Sequence, residues 1–258
     1  MDNFEKNYKQ WINALFFAGM LPIFFSVNFN QSPYPFSSFH GISPEVLSQS
    51  PLPQMDLPVN AASLPDGFSL SPITPDIEAR ISDISYPKDC PLPLRELRYL
   101  TVLHVGFDGL IHQGELVIHQ EIAGVILEIF YQLYQSGYPI EKIRLIDEYN
   151  ADDEASMADN NTSAFCWRNI TGTDTVSLHG YGLAIDINPL YNPYVCNEIV
   201  SPSVSPYDRE AGMVFSPYFM TDDDLCVRLF KSYGFIWGGD WSSPKDYQHF
   251  EYGKTAAR

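Results

Sequence analysis

The pattern of apolar and polar positions predicts two helices in the second half of the chain. Apolar residues at positions 122, 125, 126, 129, 130 and 133 recur at helical spacing, and Gly137 stands where such a helix would end. A second helix is predicted to begin at Thr221, whose hydroxyl can cap free backbone amides, and to end at Gly234. Three aspartates follow Thr221 and suit the positive end of the helix dipole.

Strands are predicted beside these helices. Residues 97–105 form an apolar run, Asp108-Gly109 is a turn signal, and residues 116–118 resume the run, so we expect a hairpin. Residues 143–149 also have the composition of a strand. Helices and strands together indicate a mixed α+β domain.

The first 85 residues have a different texture. Residues 1–29 contain lysines followed by an uncharged apolar stretch, which is typical of a signal peptide or, if uncleaved, a membrane anchor. Residues 30–85 are rich in proline and serine and are predicted to be a linker or an irregular extension. The catalytic domain is expected to span residues 86–258.

Charge and cysteine spacing exclude two kinds of partner. The formal net charge of -17 would repel a phosphate backbone, so we expect no binding to nucleic acid. The acidic runs at 152–154 and 222–224 are interpreted as solvated surface. Because the cysteines lack CxxC spacing, no cysteine-held zinc is expected, and their pairing stays open; they are Cys90, Cys166, Cys196 and Cys226.

Two of the six histidines have carboxylates at metal-ligand spacing. His179 stands seven residues before Asp186, with two glycines between them that allow a tight turn. His249 stands three residues after Asp246. Zinc accepts imidazole nitrogen and carboxylate oxygen, and a catalytic zinc needs three protein ligands and an open position. On spacing alone, ordinary buried polar residues remain the alternative; the other histidines are interpreted as structural or surface residues, namely His40, His104, His112 and His119.

Three ordered blocks of sequence run from Ser156 to Arg168, from Ser177 to Pro189, and from Gly234 to Phe250. Together they resemble the zinc D-alanyl-D-alanine carboxypeptidases, which are related to vancomycin-resistance D,D-dipeptidases and phage L-alanyl-D-glutamate endopeptidases. The resemblance covers about residues 86–251. It implies an α+β fold with a small antiparallel sheet and flanking helices, like that of the D-alanyl-D-alanine peptidases and the hedgehog signalling domain.

The resemblance also implies a metal site and a catalytic base. One zinc ion would be held by His179, Asp186 and His249, and Asp246 would be the general base. Many relatives carry glutamate at the position of Asp246, so Asp240 is kept as the competing candidate for the base.

Two further residues are implied to contact the substrate. Arg168 would hold the carbonyl or carboxylate of the peptide, and Ser177 would help to orient it. The residues themselves also allow a salt bridge for Arg168 and a turn or cap for Ser177. Glu251, just beyond His249, is either a partner that orients this ligand or a surface residue.

The expected function is therefore that of an exported zinc peptidase, in the periplasm or cell envelope, that cuts peptidoglycan stem peptides. D-alanyl-D-alanine carboxypeptidase activity is favoured slightly over L-alanyl-D-glutamate endopeptidase activity. The alternative from another class is a non-catalytic zinc- or wall-binding module of the same fold. The complete set of ligands and base favours the enzyme. The sequence leaves the bond that is cut and the oligomeric state open.

Overall fold

A computed structural model describes residues 65–207 and 216–253. The predicted signal segment at 1–29 and the first part of the predicted extension, up to residue 64, lie outside these residues. In the described part of the chain, no helix is long and apolar enough to cross a membrane.

The first sheet is antiparallel and has the order β1-β2-β3. Strand β1 is Ser69–Pro72, β2 is Leu97–Val105 and β3 is Ile111–His119. The predicted hairpin is confirmed, since β2 pairs with β3 along its whole length. Gly109 takes a positive φ of 75° in the connecting turn, a conformation that glycine adopts without steric cost.

Regular structure begins earlier than the proline-rich composition suggests. Besides β1, helix α1 at Pro75–Ile81 lies within the predicted 30–85 extension. Thr74 caps α1, and a proline is tolerated in the first helical turn, where its missing N–H costs nothing. Ile77 and Ile81 are buried in a core cluster, so this part of the segment packs as a component of the domain.

Helix α2, Gln120–Gln135, covers the first sheet and confirms the helix expected from the apolar spacing. Gly137 follows its end with a φ of 66°. Seven residues of α2 are buried in the main core: Ile122, Ala123, Ile126, Leu127, Ile129, Phe130 and Leu133. Their burial removes apolar surface from water and holds α2 against β2.

Short strands build the remainder of the domain. A second antiparallel sheet has the order β6-β11-β9, a third has the order β10-β7-β8, and β4 pairs in parallel with β5. Helix α3 precedes β5 and helix α4 precedes β9. The bounds are β4 Lys142–Ile143, α3 Asp153–Ala158, β5 Asn161–Thr162, β6 Ala184–Asp186, β7 Tyr194–Cys196, β8 Ile199–Ser201, α4 Leu225–Ser232, β9 Ile236–Trp237, β10 Lys245–Asp246 and β11 His249–Glu251.

Two local predictions were wrong. Of the strand predicted at 143–149, only Ile143 lies in a strand, Lys142–Ile143, and Ile146–Tyr149 is a 3-10 helix. Helix α4 is capped by Asp224, whose Oδ1 accepts a hydrogen bond of 2.8 Å from the backbone N–H of Cys226, and Thr221 lies before the helix. Aspartate caps a helix as well as threonine does, so any residue of the run Thr221–Asp224 was a suitable cap, and the sequence did not identify Asp224 as the one at the start of the helix.

Within residues 65–207 and 216–253, four α-helices and several small antiparallel sheets make a mixed α and β structure, consistent with the predicted α+β class. The four cysteines are all unpaired in the structure. His104 is buried and bonds the carbonyl of Ile140, which fits its predicted structural role. His112 bonds Asp108 across the hairpin turn, a contact that its sequence surroundings did not suggest.

We predict that Ile126→Ala lowers the free energy of unfolding by about 2–5 kcal/mol, because it leaves a cavity in the fully buried core. Gln135→Ala at the exposed end of the same helix should change it by less than about 0.5 kcal/mol. Urea unfolding of both variants measures the difference. Equal free energies of unfolding for the two variants would contradict the assignment of α2 as a helix that packs its apolar face into the main core.

Candidate metal centre

The second sheet brings two of the predicted ligands together. Strands β6 and β11 are antiparallel with His249 opposite Asp186, and Phe250 opposite Ile185. Directly opposed residues on antiparallel strands lie with their side chains on the same face. Ile185 and Phe250 are fully buried on the other face, so the apolar core fixes the register that joins Asp186 to His249.

The third ligand comes from a tight turn. His179 lies in the 3-10 helix Leu178–Tyr181, and the hydroxyl of Ser177 accepts a hydrogen bond of 3.3 Å from its backbone N–H. Gly182 closes the turn with a φ of 65°, and a Cβ at Gly182 would lie only 2.7 Å from the backbone nitrogen of His119. Only glycine fits this conformation and this space, so the turn can lie directly against β3.

The three side chains converge in a buried group. His179 Nε2 lies 3.2 Å from His249 Nδ1 and 3.3 Å from Asp186 Oδ2, and His249 Nδ1 lies 3.0 Å from Asp186 Oδ1. Ligands about 2.0–2.1 Å from a tetrahedral metal are separated by roughly 3.3 Å from one another. The separations and the donor atoms therefore fit a metal ion, and this group could hold one.

Hydrogen bonds fix which nitrogen of each histidine faces the group. His179 Nδ1 donates to the carbonyl of Ala164 at 2.6 Å, because a carbonyl can only accept, and this leaves Nε2 for a metal. His249 Nε2 donates to Glu251 Oε2 at 3.3 Å, which leaves Nδ1. Such partners orient metal-binding imidazoles and increase their basicity. Glu251 thus has the contact expected of a partner that orients His249.

Comparison with known proteins agrees with this geometry. Residues 171–252 match the model of a D-alanyl-D-alanine carboxypeptidase family. This stretch is carboxypeptidase-like. It carries all three ligands and Asp246, so the resemblance is confirmed here and supports a peptidase, whereas Arg168 lies outside the matched residues. No curated protein and no solved structure matches the chain.

The charges of Asp186 and His249 in this buried group compensate one another. Burial alone would lower the pKa of His249, but its bonds to Asp186 and Glu251 raise it to about 10. Burial alone would raise the pKa of Asp186, but His179 and His249 hold it well below its usual range. A metal that binds His249 through Nδ1 must displace any proton held on that nitrogen.

Asp246 has the surroundings of a general base. It lies on β10, half-buried, and its Oδ1 has no hydrogen-bond partner within the described residues. The pKa of Asp246 is raised to about 7: burial and the charges of Asp186 and Asp153 raise it, and they outweigh the charge of His249 and a hydrogen bond of Gln248, which lower it. A carboxyl group with a pKa near neutrality and a free oxygen can take up and release a proton during turnover.

Asp240, the competing candidate for the general base, forms an ion pair at the surface. Its carboxylate pairs with Lys231 at 2.8 Å, and its side chain is 44% exposed. Lys231 also binds Asp222. Held at the surface by this lysine, Asp240 has neither the burial nor the free oxygen that Asp246 has.

Arg168 forms the salt bridge that the sequence left open as its alternative role. Its Nη2 lies 2.7 Å from Asp153 Oδ2, and its Nε is buried without a hydrogen-bond acceptor in the described structure. The charges of Asp153 and Asp186 outweigh burial and raise the pKa of Arg168. The arginine is thus close to the ligands, and its predicted contact with substrate stays a prediction.

Sequence reasoning missed Asp153 and left two roles of Ser177 open. Asp153 belongs to an acidic run interpreted as solvated surface, yet burial raises its pKa, and its charge interacts with those of Asp186 and His179. Ser177 forms the cap that holds the turn of His179, and its predicted contact with the peptide stays a prediction. Asp152 is a good helix cap and Asp153 begins the helix, but neither feature signals from the sequence that Asp153 is withdrawn from water.

We predict that Glu251→Ala weakens zinc binding by about 10- to 100-fold, because His249 loses the partner that orients its ring. Competition with a chromophoric chelator measures the affinity. Glu198→Ala, which removes an exposed acid between β7 and β8, is the matched control and should bind zinc as the unaltered protein does. An unchanged affinity in Glu251→Ala would contradict the orienting role.

Zinc binding should depend on pH through His249. Below its pKa of about 10 the metal-free histidine is protonated, so each bound zinc releases close to one proton. The apparent association constant should therefore rise by about tenfold per pH unit between about pH 7 and 9. Calorimetry in buffers of different ionisation enthalpy counts the protons. A constant affinity over this range, with no proton released, would contradict the assigned charge state.

Proposed function

We propose that the protein is a zinc peptidase that acts on peptidoglycan stem peptides, as a D-alanyl-D-alanine carboxypeptidase. The observation that carries the proposal is the buried group of His179, Asp186 and His249 within a stretch that matches this family. Two imidazoles and one carboxylate are the donor set of a catalytic zinc that keeps an open position for water or substrate. The four cysteines contribute no ligand to this group.

The residues around the group supply the other parts of a hydrolytic site. Bound zinc would polarise the scissile carbonyl and make a water molecule more acidic. Asp246 accepts a proton from the attacking water and passes it to the departing amine. Arg168 offers N–H donors for the carbonyl oxygen as negative charge develops on it. No covalent bond between enzyme and peptide is needed.

The proposed bond follows from the matched family, which is described as D-alanyl-D-alanine carboxypeptidase. Removal of the terminal D-alanine from a stem peptide requires a site that accepts the terminal carboxylate. Arg168 is the proposed partner for it, because its positive charge interacts with that of the predicted ligand Asp186. We also propose that the fold is of the D-alanyl-D-alanine peptidase and hedgehog type. The predicted export segment at 1–29 would deliver the enzyme to the cell envelope, where its substrate is found.

The proposal is tested with defined stem peptides and zinc-loaded protein, followed by mass spectrometry. Loss of one terminal alanine, abolished by a chelator, is the expected result. Release of a fragment that begins at D-glutamate would replace the carboxypeptidase with an endopeptidase. A folded protein that binds zinc and cuts no stem peptide would leave a non-catalytic zinc-binding module.

In the same assay, Asp246→Asn should lower kcat by about a hundredfold or more, because it removes the proton acceptor. Zinc binding should be largely retained, since Asp246 is not among the three clustered ligands. Asp240→Asn is the matched control, and its activity should stay within a few-fold of the unaltered protein. Loss of activity in Asp240→Asn with activity kept in Asp246→Asn would reverse the assignment of the base.

A further inference from the structure

The ion pair between Arg168 and Asp153 is the feature of the site that the hydrolytic roles leave unexplained. Arg168 Nη2 lies 2.7 Å from Asp153 Oδ2, and the two side chains are only 26% and 30% exposed. Charges that are partly withdrawn from water are screened less than surface charges. The carboxylate therefore cancels much of the positive charge that Arg168 would otherwise present.

Arg168 nevertheless keeps donors for a ligand. A guanidinium group has five N–H bonds, and the described structure pairs this one with a single carboxylate, through Nη2. Nε is buried without an acceptor in the described structure, and the side chain as a whole is 26% exposed.

The position of Asp153 is fixed by helix α3. It is the first residue of helix α3, and Asp152 caps that helix by accepting a hydrogen bond of 3.0 Å from the N–H of Ala155. A carboxylate in a first helical turn also interacts favourably with the helix dipole. Its charge interacts with those of Asp186, His179 and Asp246 as well as with that of Arg168, to which it is bonded directly.

We propose that Asp153 determines specificity at the peptide terminus: by pairing with Arg168, it limits how strongly the site favours a free terminal carboxylate over an uncharged terminus. This inference rests on the proposed function, because it concerns the peptide that the site would bind. Asp153→Asn removes one negative charge and keeps the size and one hydrogen-bond acceptor of the side chain. The site then becomes more positive where the peptide ends.

The test compares one stem peptide with a terminal carboxylate and the same peptide with a terminal amide. Their dissociation constants are measured on zinc-loaded protein in the Asp246→Asn background, so that bound peptide is not cut. Asp153→Asn should increase the preference for the carboxylate, expressed as the ratio of the two constants, on the order of 3- to 10-fold. In protein that keeps Asp246, the ratio of kcat/KM values should shift in the same direction.

Three variants separate this role from general damage. Glu154→Gln removes the neighbouring acid, which instead bonds Ser201 and Ser203, and should leave the ratio unchanged. Asp153→Glu keeps the charge and should keep the ratio near that of the unaltered protein. In an Arg168→Gln background, Asp153→Asn should have little further effect on the ratio, because the two residues act as a pair.

An unchanged ratio in folded Asp153→Asn that retains zinc would overturn the inference and reduce Asp153 to a structural residue. A persistent shift in the Arg168→Gln background would also overturn it, since Asp153 would then act without the arginine. Binding of neither peptide would overturn it as well. Binding of both with the expected shift, but no cleavage by protein that keeps Asp246, would refute the proposed peptidase activity and leave the inference standing.

Discussion

The antiparallel pairing of β6 with β11 is the constraint on which the site depends. It places His249 opposite Asp186 on one face, while Ile185 and Phe250 pack on the other. A slip by one residue would move every side chain to the opposite face, expose the apolar pair and separate the ligands. The core and the metal site thus require the same register. Stacking of Phe250 on Phe230 of α4 adds a helix to this support.

Buried charge is the second constraint. Two histidines and an aspartate withdrawn from water are costly unless they compensate one another or bind an ion. In the metal-free protein, His249 supplies the positive charge between Asp186 and Glu251. A metal ion would supply positive charge in place of the proton. The hydrogen bonds of His179 to Ala164 and of His249 to Glu251 orient the two rings so that their other nitrogens face the position of the metal. The fold therefore holds the three predicted ligands close together.

The clustering of the three predicted ligands was foreseeable because part of their motif is local: two glycines and a short strand join His179 to Asp186. The hairpin and α2 were predictable from long, regular apolar patterns. Alternation of apolar and polar residues marked the strand that carries Asp186, whereas β10 and β11 have only two and three residues, too few for a period to appear. The role of β1 and α1 was hidden by prolines, although prolines are tolerated at strand edges and helix starts. Asp153 was hidden because burial of an acid depends on tertiary packing, which its neighbours in sequence do not report.

The central claim is that His179, Asp186 and His249 together bind zinc. X-ray absorption spectroscopy of the zinc-loaded protein at the zinc edge tests it most directly. The account predicts nitrogen and oxygen ligands at about 2.0–2.1 Å with the scattering of two imidazole rings, and the loss of one ring in His249→Ala. A sulfur ligand at about 2.3 Å, or a spectrum that His249→Ala leaves unchanged, would contradict it.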